Sequence, residues 1–76
     1  MVYTLQLFAH LADVCKSPTL HIEEVPTVAA LRKQLLLVPA LSTESFAIAV
    51  NRKIVHDEYE LSITDEIALL PPFSGG

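Results

Sequence analysis

Hydrophobic positions along the chain change period several times, and each change marks an element. From Val2 to Phe8 the residues alternate, with Tyr3, Leu5 and Leu7 on one side and Thr4 and Gln6 on the other, which predicts a half-buried strand. After Pro18, Leu20 and Ile22 alternate with Thr19, His21 and Glu23, predicting a second strand. Between them, Ala9 to Cys15 has room for about two turns of helix, with Leu11 and Val14 three apart. Pro26-Thr27 opens the clearest helix. Thr27 is suited to cap it, Val28, Leu31, Leu35 and Val38 recur at helical spacing, and Pro39 ends it. Arg32 and Lys33 lie off that stripe, on the side expected to face water.

Alternation returns from Phe46 to Asn51, with Phe46, Ile48 and Val50 opposite Ala47 and Ala49. Asn51-Arg52-Lys53 is polar enough to turn the chain, and Ile54-Val55 can come back as a short strand. Thr64-Asp65 predicts a turn before a last strand, Glu66 to Leu70. A single amphipathic helix cannot bury its own stripe and needs a sheet to cover. The order therefore predicts an α+β fold of β-grasp type, a roll with a mixed sheet of four to five strands, one main helix across one face and a short extra helix. A ferredoxin-like alternative needs two full crossover helices, and only one is clear. The strand after the main helix is expected to run parallel to the first, since crossovers join parallel strands. Residues 1–70 form one domain on this reading, and residues 71–76 an extended tail.

Composition narrows the chemistry. The 76 residues are 51% hydrophobic, enough for a simple core and too apolar for a disordered segment. The formal charge is −4, and the basic residues never run beyond the pairs Arg32-Lys33 and Arg52-Lys53. Phosphate neutralisation needs a clustered basic footprint, so nucleic acid is a poor partner. The single cysteine, Cys15, can form no internal disulfide. The start of the chain has no basic leader, and its most apolar stretch, Leu35 to Leu41, is short and broken by Pro39. The expectation is a cytoplasmic protein with no membrane contact.

Catalytic side chains do not converge in the pattern. His10, His21 and His56 are far apart, none at the spacing of a helical metal pair, and no metal site is expected. Cys15 has only Lys16 as a basic neighbour, so a small apolar filler fits better than a nucleophile. The carboxylates Asp57, Glu58, Glu60, Asp65 and Glu66 read as solvated faces. No glycine-rich phosphate loop exists, because the chain's two glycines are Gly75 and Gly76.

That placement of glycine is the most informative feature. Pro71 and Pro72 stop the last strand, since neither can donate to a ladder, and they hold the following chain extended. From Pro71 to Gly76 the tail can reach about 20 Å at ~3.3 Å per residue. Phe73 is its large apolar residue, suited to anchoring on a partner, while Gly75-Gly76 can thread a narrow channel. The distinctive chemical group is the α-carboxylate of Gly76. Ionised at neutral pH, it is a poor electrophile, and adenylation by another protein would supply a leaving group. On the sheet, the phase that bears Ala47, Ala49, Ala68 and Leu70 is apolar where a solvated face would be polar. With Phe73 it reads as a protein interface beside the tail.

The run Asp65-Glu66-Ile67-Ala68-Leu69-Leu70-Pro71-Pro72-Phe73-Ser74-Gly75-Gly76, with Val50-Asn51-Arg52, Leu5-Gln6-Leu7-Phe8-Ala9 and Pro26-Thr27-Val28, resembles the molybdopterin synthase small subunit family of ubiquitin-like β-grasp sulfur carriers. The tail signature is specific, and the internal pieces are weak alone. Thr64-Asp65 stands where the family commonly has Gly-Asp, and the connection from Pro39 to Ser45 is short. The resemblance implies that an adenylating enzyme uses ATP on Gly76, that a sulfur donor protein converts it to a thiocarboxylate, and that the tail enters the synthase large subunit. Sulfur then passes to cyclic pyranopterin monophosphate. It implies no bound cofactor on this chain, catalytic side chains on the large subunit, and two small subunits on a dimer of large ones. Ser74 and Gly75, with Pro71, Pro72 and Phe73, position the tail. Three alternatives remain: a carrier of another pathway, such as thiamine thiazole synthesis, against which Pro71-Pro72-Phe73 argues; a ubiquitin-like modifier joined to lysines; and a binding module with a passive end.

Overall fold

The computed structural model describes residues 1–72. Seven elements follow one another: β1 (Val2–Leu7), α1 (His10–Cys15), β2 (Thr19–Glu23), α2 (Val28–Leu36), β3 (Ala47–Val50), β4 (Lys53–Ile54) and β5 (Ile67–Leu70). The strands form one mixed sheet in the order β2-β1-β5-β3-β4. Among the described residues only β1 and β5 pair in parallel; the other neighbours are antiparallel. One main helix on a five-stranded mixed sheet with parallel central strands is the β-grasp arrangement.

The expected direction of the strand after α2 is corrected. β3 is antiparallel to β5, which is parallel to β1, so β3 runs against the first strand. The crossover starts from β2, itself antiparallel to β1, and joins it to a strand of like direction. The two central positions between them are filled by β1 and β5.

One face of the sheet is the core. Register lines up Leu20, Leu5, Ile67 and Val50 in one row and Leu7, Leu69 and Ile48 in the next. Val28, Leu31 and Leu35 of α2 cover these rows and are fully buried, with Leu41 from the following turn and Leu11 from α1. Two sequence details shift. Within α1 it is Cys15, not Val14, that joins Leu11 against the core; Val14 is exposed, because residues four apart share the inward side here. α2 ends at Leu36, and Val38 packs on the core from the turn beyond it, donating its N–H to the Leu35 carbonyl.

The start of α2 is tied to the long β4–β5 connection. The Val28 and Ala29 N–H groups donate to the carbonyls of Tyr59 and Asp57, and Ala30 N–H donates to Thr27 Oγ1 at 3.2 Å. These are donors that an isolated helix leaves unpaired. Arg32 is drawn into the same junction rather than left in water. Its Nε donates to Asp57 Oδ1 at 3.1 Å, and its guanidinium lies 5.8 Å from the centre of the Phe46 ring.

Candidate functional site

The open face of the sheet is built by the other phase of the same strands. Its middle row crosses all five: Thr19, Gln6, Ala68, Ala49 and Ile54. Ala47 and Leu70 are paired in the next row, toward the end of β5. The face is polar over β2 and β1, where Thr4 and His21 pair, and apolar over β5, β3 and β4. Alanines are too short to fill the space above their strands. The result is a hollow of about 470 Å³, lined by Gln6, Phe8, Ala49, Arg52, Ile54, Glu66, Ala68 and Leu70.

The sequence-derived interface residues Ala47, Ala49, Ala68 and Leu70 share this face, but they do not stand out from it. Ala49 is only 4% exposed, because it lies between Ala68 on one neighbour and Ile54 on the other and forms the floor. Ala47, Ala68 and Leu70 are half-buried. The walls are residues that periodicity alone did not select: Phe8, just beyond β1, and Ile54 on β4, both exposed. The signal for Phe8 is its phase with Gln6. The register of β1 on β5, which a sequence does not print, sets it beside Leu70.

The hairpin at the rim is held by Asn51. Its Nδ2 donates to Asp65 Oδ1 at 3.1 Å, and its Oδ1 accepts the Glu66 N–H at 2.9 Å. The Asn51 N–H in turn donates to the Glu66 carbonyl at 2.7 Å. Asp65 also accepts the Ser62 N–H at 2.7 Å, which builds the turn into β5 without glycine. Asp57, Glu58, Glu60 and Glu66 are exposed and Asp65 is half-buried, but Asp57 and Asp65 also accept hydrogen bonds that organise their loops. With Asn51 and Arg52 both at positive φ, the turn takes two residues, and β4 is Lys53–Ile54, one residue earlier than its sequence suggests.

The remaining chemical candidates lie outside the hollow. His10 Nε2 is 3.0 Å from Glu44 Oε1, His21 Nδ1 is 3.2 Å from Thr4 Oγ1, and all three histidines are exposed. Among the described residues no three His, Cys, Asp or Glu side chains gather as a metal site. Burial and, second, Glu44 push the Cys15 thiol above its ordinary pKa, which keeps it protonated at neutral pH. Pro71 is half-buried and Pro72 exposed, directly after the strand that borders the hollow. The predicted tail residues Phe73, Ser74, Gly75 and Gly76 lie outside the described residues.

A β-grasp sheet with one helix-covered face and one open apolar face beside its last strand defines a domain of the ubiquitin-like sulfur-carrier fold. The chain belongs to the ThiS family, which it matches over residues 5–76. Among solved structures it is similar to SAMP1 from Haloferax volcanii, with 27% identity, 100% of each chain covered and a TM-score of 0.80. It is also similar to a chain of the complex of subunits 1 and 2 of the molybdopterin-converting factor from Helicobacter pylori, with 26% identity, 100% of each chain covered and a TM-score of 0.72. A putative molybdopterin-converting factor subunit 1 from Pyrococcus furiosus shares the fold, at 20% identity over 96% of this chain and 99% of that one, with a TM-score of 0.79. No curated protein sequence matches significantly. No helix among the described residues is long and apolar enough to cross a membrane.

Proposed function

We propose that this chain is the sulfur-carrying small subunit of molybdopterin synthase, acting in molybdenum cofactor biosynthesis in the cytoplasm. The observation that carries the reading is the junction of two features: an alanine-floored apolar hollow, and the chain leaving β5 at its border through Pro71-Pro72 toward Gly75-Gly76. A partner seated on the face through Leu70, Ala68, Ala47 and Ala49 receives the tail at the same time. The two subunits named for the Helicobacter pylori complex support a large-subunit partner of this kind.

The chemistry resides on Gly76. Its carboxylate oxygen attacks the α-phosphorus of ATP on an adenylating enzyme, releasing pyrophosphate and leaving an acyl-adenylate. A sulfide-level sulfur supplied by a donor protein then attacks the carbonyl carbon and expels AMP, giving a thiocarboxylate. In the large subunit that sulfur passes to cyclic pyranopterin monophosphate, and water restores the carboxylate. This chain binds no cofactor of its own in the cycle and contributes no catalytic side chain; Phe73, Ser74 and Gly75 position the reacting end.

Intact mass after incubation with the adenylating enzyme, ATP and a sulfur donor tests the first half. Exchange of one oxygen for sulfur adds about 16 Da to the activated carboxylate, and an unchanged mass sinks the carrier reading. Pterin conversion by the loaded chain with the large subunit tests the second half. The likeness to SAMP1, known as small archaeal modifier protein 1, favours a second reading in which the activated Gly76 is joined to lysines of other proteins. Isopeptide adducts without pterin conversion would select it, and thiazole formation instead would select the thiamine-type carrier.

A further inference from the structure

The hairpin at the rim of the hollow holds an arginine where its backbone favours glycine. Asn51 and Arg52 have φ of 53° and 70° between the paired Val50 and Lys53. A two-residue turn with both central residues left-handed matches the twist of the strands it joins, and Asn-Gly is the usual pair there. Asn51 has an internal reason for its place, since both ends of its amide are used to bind the start of β5.

Arg52 has no comparable reason. Its side chain is 89% exposed, and its ion pair with Glu66 is long, at 3.5 Å, with the glutamate itself half in water. Exposed pairs of that kind contribute little to folding. A residue held in a left-handed conformation that its Cβ disfavours is a strain that persists where something other than local stability selects it. Here that residue borders the apolar hollow on the open face.

We propose that Arg52 is a specificity-determining residue of the docking face: its guanidinium pairs with a carboxylate of the synthase large subunit, set beside the apolar side chain that fills the hollow. The inference rests on the reading of the face as the large-subunit surface. The net charge of −4 attracts a basic partner over distance without fixing how it sits. A lone cation at the lip of a hollow does fix the register, because a partner surface shifted along the sheet would meet it with the wrong group. Glu66 is displaced from Arg52 on docking and is then free for solvent or a partner cation.

The test uses the full chain and the purified large subunit, with affinity measured by calorimetry at low and moderate salt and melting temperature measured in parallel. Arg52→Gly relieves the strain and melts about 4 °C higher, yet binds about tenfold more weakly. Arg52→Lys keeps the charge and binds within about threefold of the original, and salt weakens the original chain more than Arg52→Gly. If Arg52→Gly binds within about twofold of the original while Leu70→Glu loses binding, the role of the arginine is overturned and the docking face stands. If the unaltered chain does not bind the large subunit, both fall.

Discussion

The two faces of the sheet are made from the same strands but solve different problems. On the covered face, Leu5, Leu7, Ile48, Val50, Ile67 and Leu69 are large, and α2 with Leu11 and Leu41 shuts them off from solvent. On the open face, the equivalent positions of the central strands carry Ala47, Ala49 and Ala68, and the space above them is left as a hollow walled by Phe8, Ile54 and Leu70. A sheet that only needed to be soluble would place polar side chains there. The difference shows that the covered face is packed for stability, whereas the open face keeps apolar surface that folding alone does not require.

The comparison breaks most visibly if the covered face is opened. Leu35 has no solvent exposure, so Leu35→Ala removes apolar contact and leaves a cavity, at a cost of about 2–5 kcal/mol. A chain of 76 residues has about 4–11 kcal/mol of stability in all, at roughly 0.05–0.15 kcal/mol per residue. Urea denaturation should therefore show the midpoint falling by roughly a fifth at the least, and at the upper end no folded baseline at all. An effect below about 1 kcal/mol would mean that α2 is not the lid of the core described above.

A smaller effect sharpens the same contrast through pH. Tyr3 brings a phenol into the covered face, where it is 3% exposed and its hydroxyl donates to the Val25 carbonyl at 2.9 Å. Burial, then the negative charges of Glu24 and Asp65, raise its pKa above the ordinary value near 10. The folded chain thus keeps this proton at a pH where the unfolded chain has lost it. The contribution is full below about pH 10 and is lost as pH rises from there through the folded pKa. Urea unfolding from pH 8 to 11 should show wild-type stability falling more steeply above about pH 10 than that of Tyr3→Phe. Parallel curves would remove Tyr3 as the cause.

Much of this architecture is legible in the sequence because local period and burial agree. The alternation of Tyr3, Leu5 and Leu7 and the stripe of Val28, Leu31 and Leu35 name the core directly, and the apolar phase of Ala47, Ala49, Ala68 and Leu70 names the open face. Pairing across distant strands is not local, and periodicity is silent on it. Nothing near β3 in the chain says that β5 separates it from β1, so its direction against the first strand follows from the sheet order and not from local pattern. The same gap hides Phe8 and Ile54, whose places beside Leu70 and Ala49 follow from register. Arg32 shows the limit of helical phase, since its partners Asp57 and Phe46 come from segments far along the chain.

The smallest effect on folding is expected where the proposed function predicts a large effect on assembly. Leu70 is half-buried on the open face and pairs with Ala47, beside the point where the chain leaves the sheet. In Leu70→Glu the charged end can reach water from the edge of the hollow, and no core contact to α2 is lost, so stability should change by about 1 kcal/mol or less. A partner that covers the hollow would bury that carboxylate without a counter-charge, which is far more costly than losing a leucine contact. Binding to the large subunit should therefore weaken by about a hundredfold, with the urea midpoint nearly unmoved. Equal loss of stability and binding would instead make the open face part of the core, and unchanged binding would leave its alanines without a docking role.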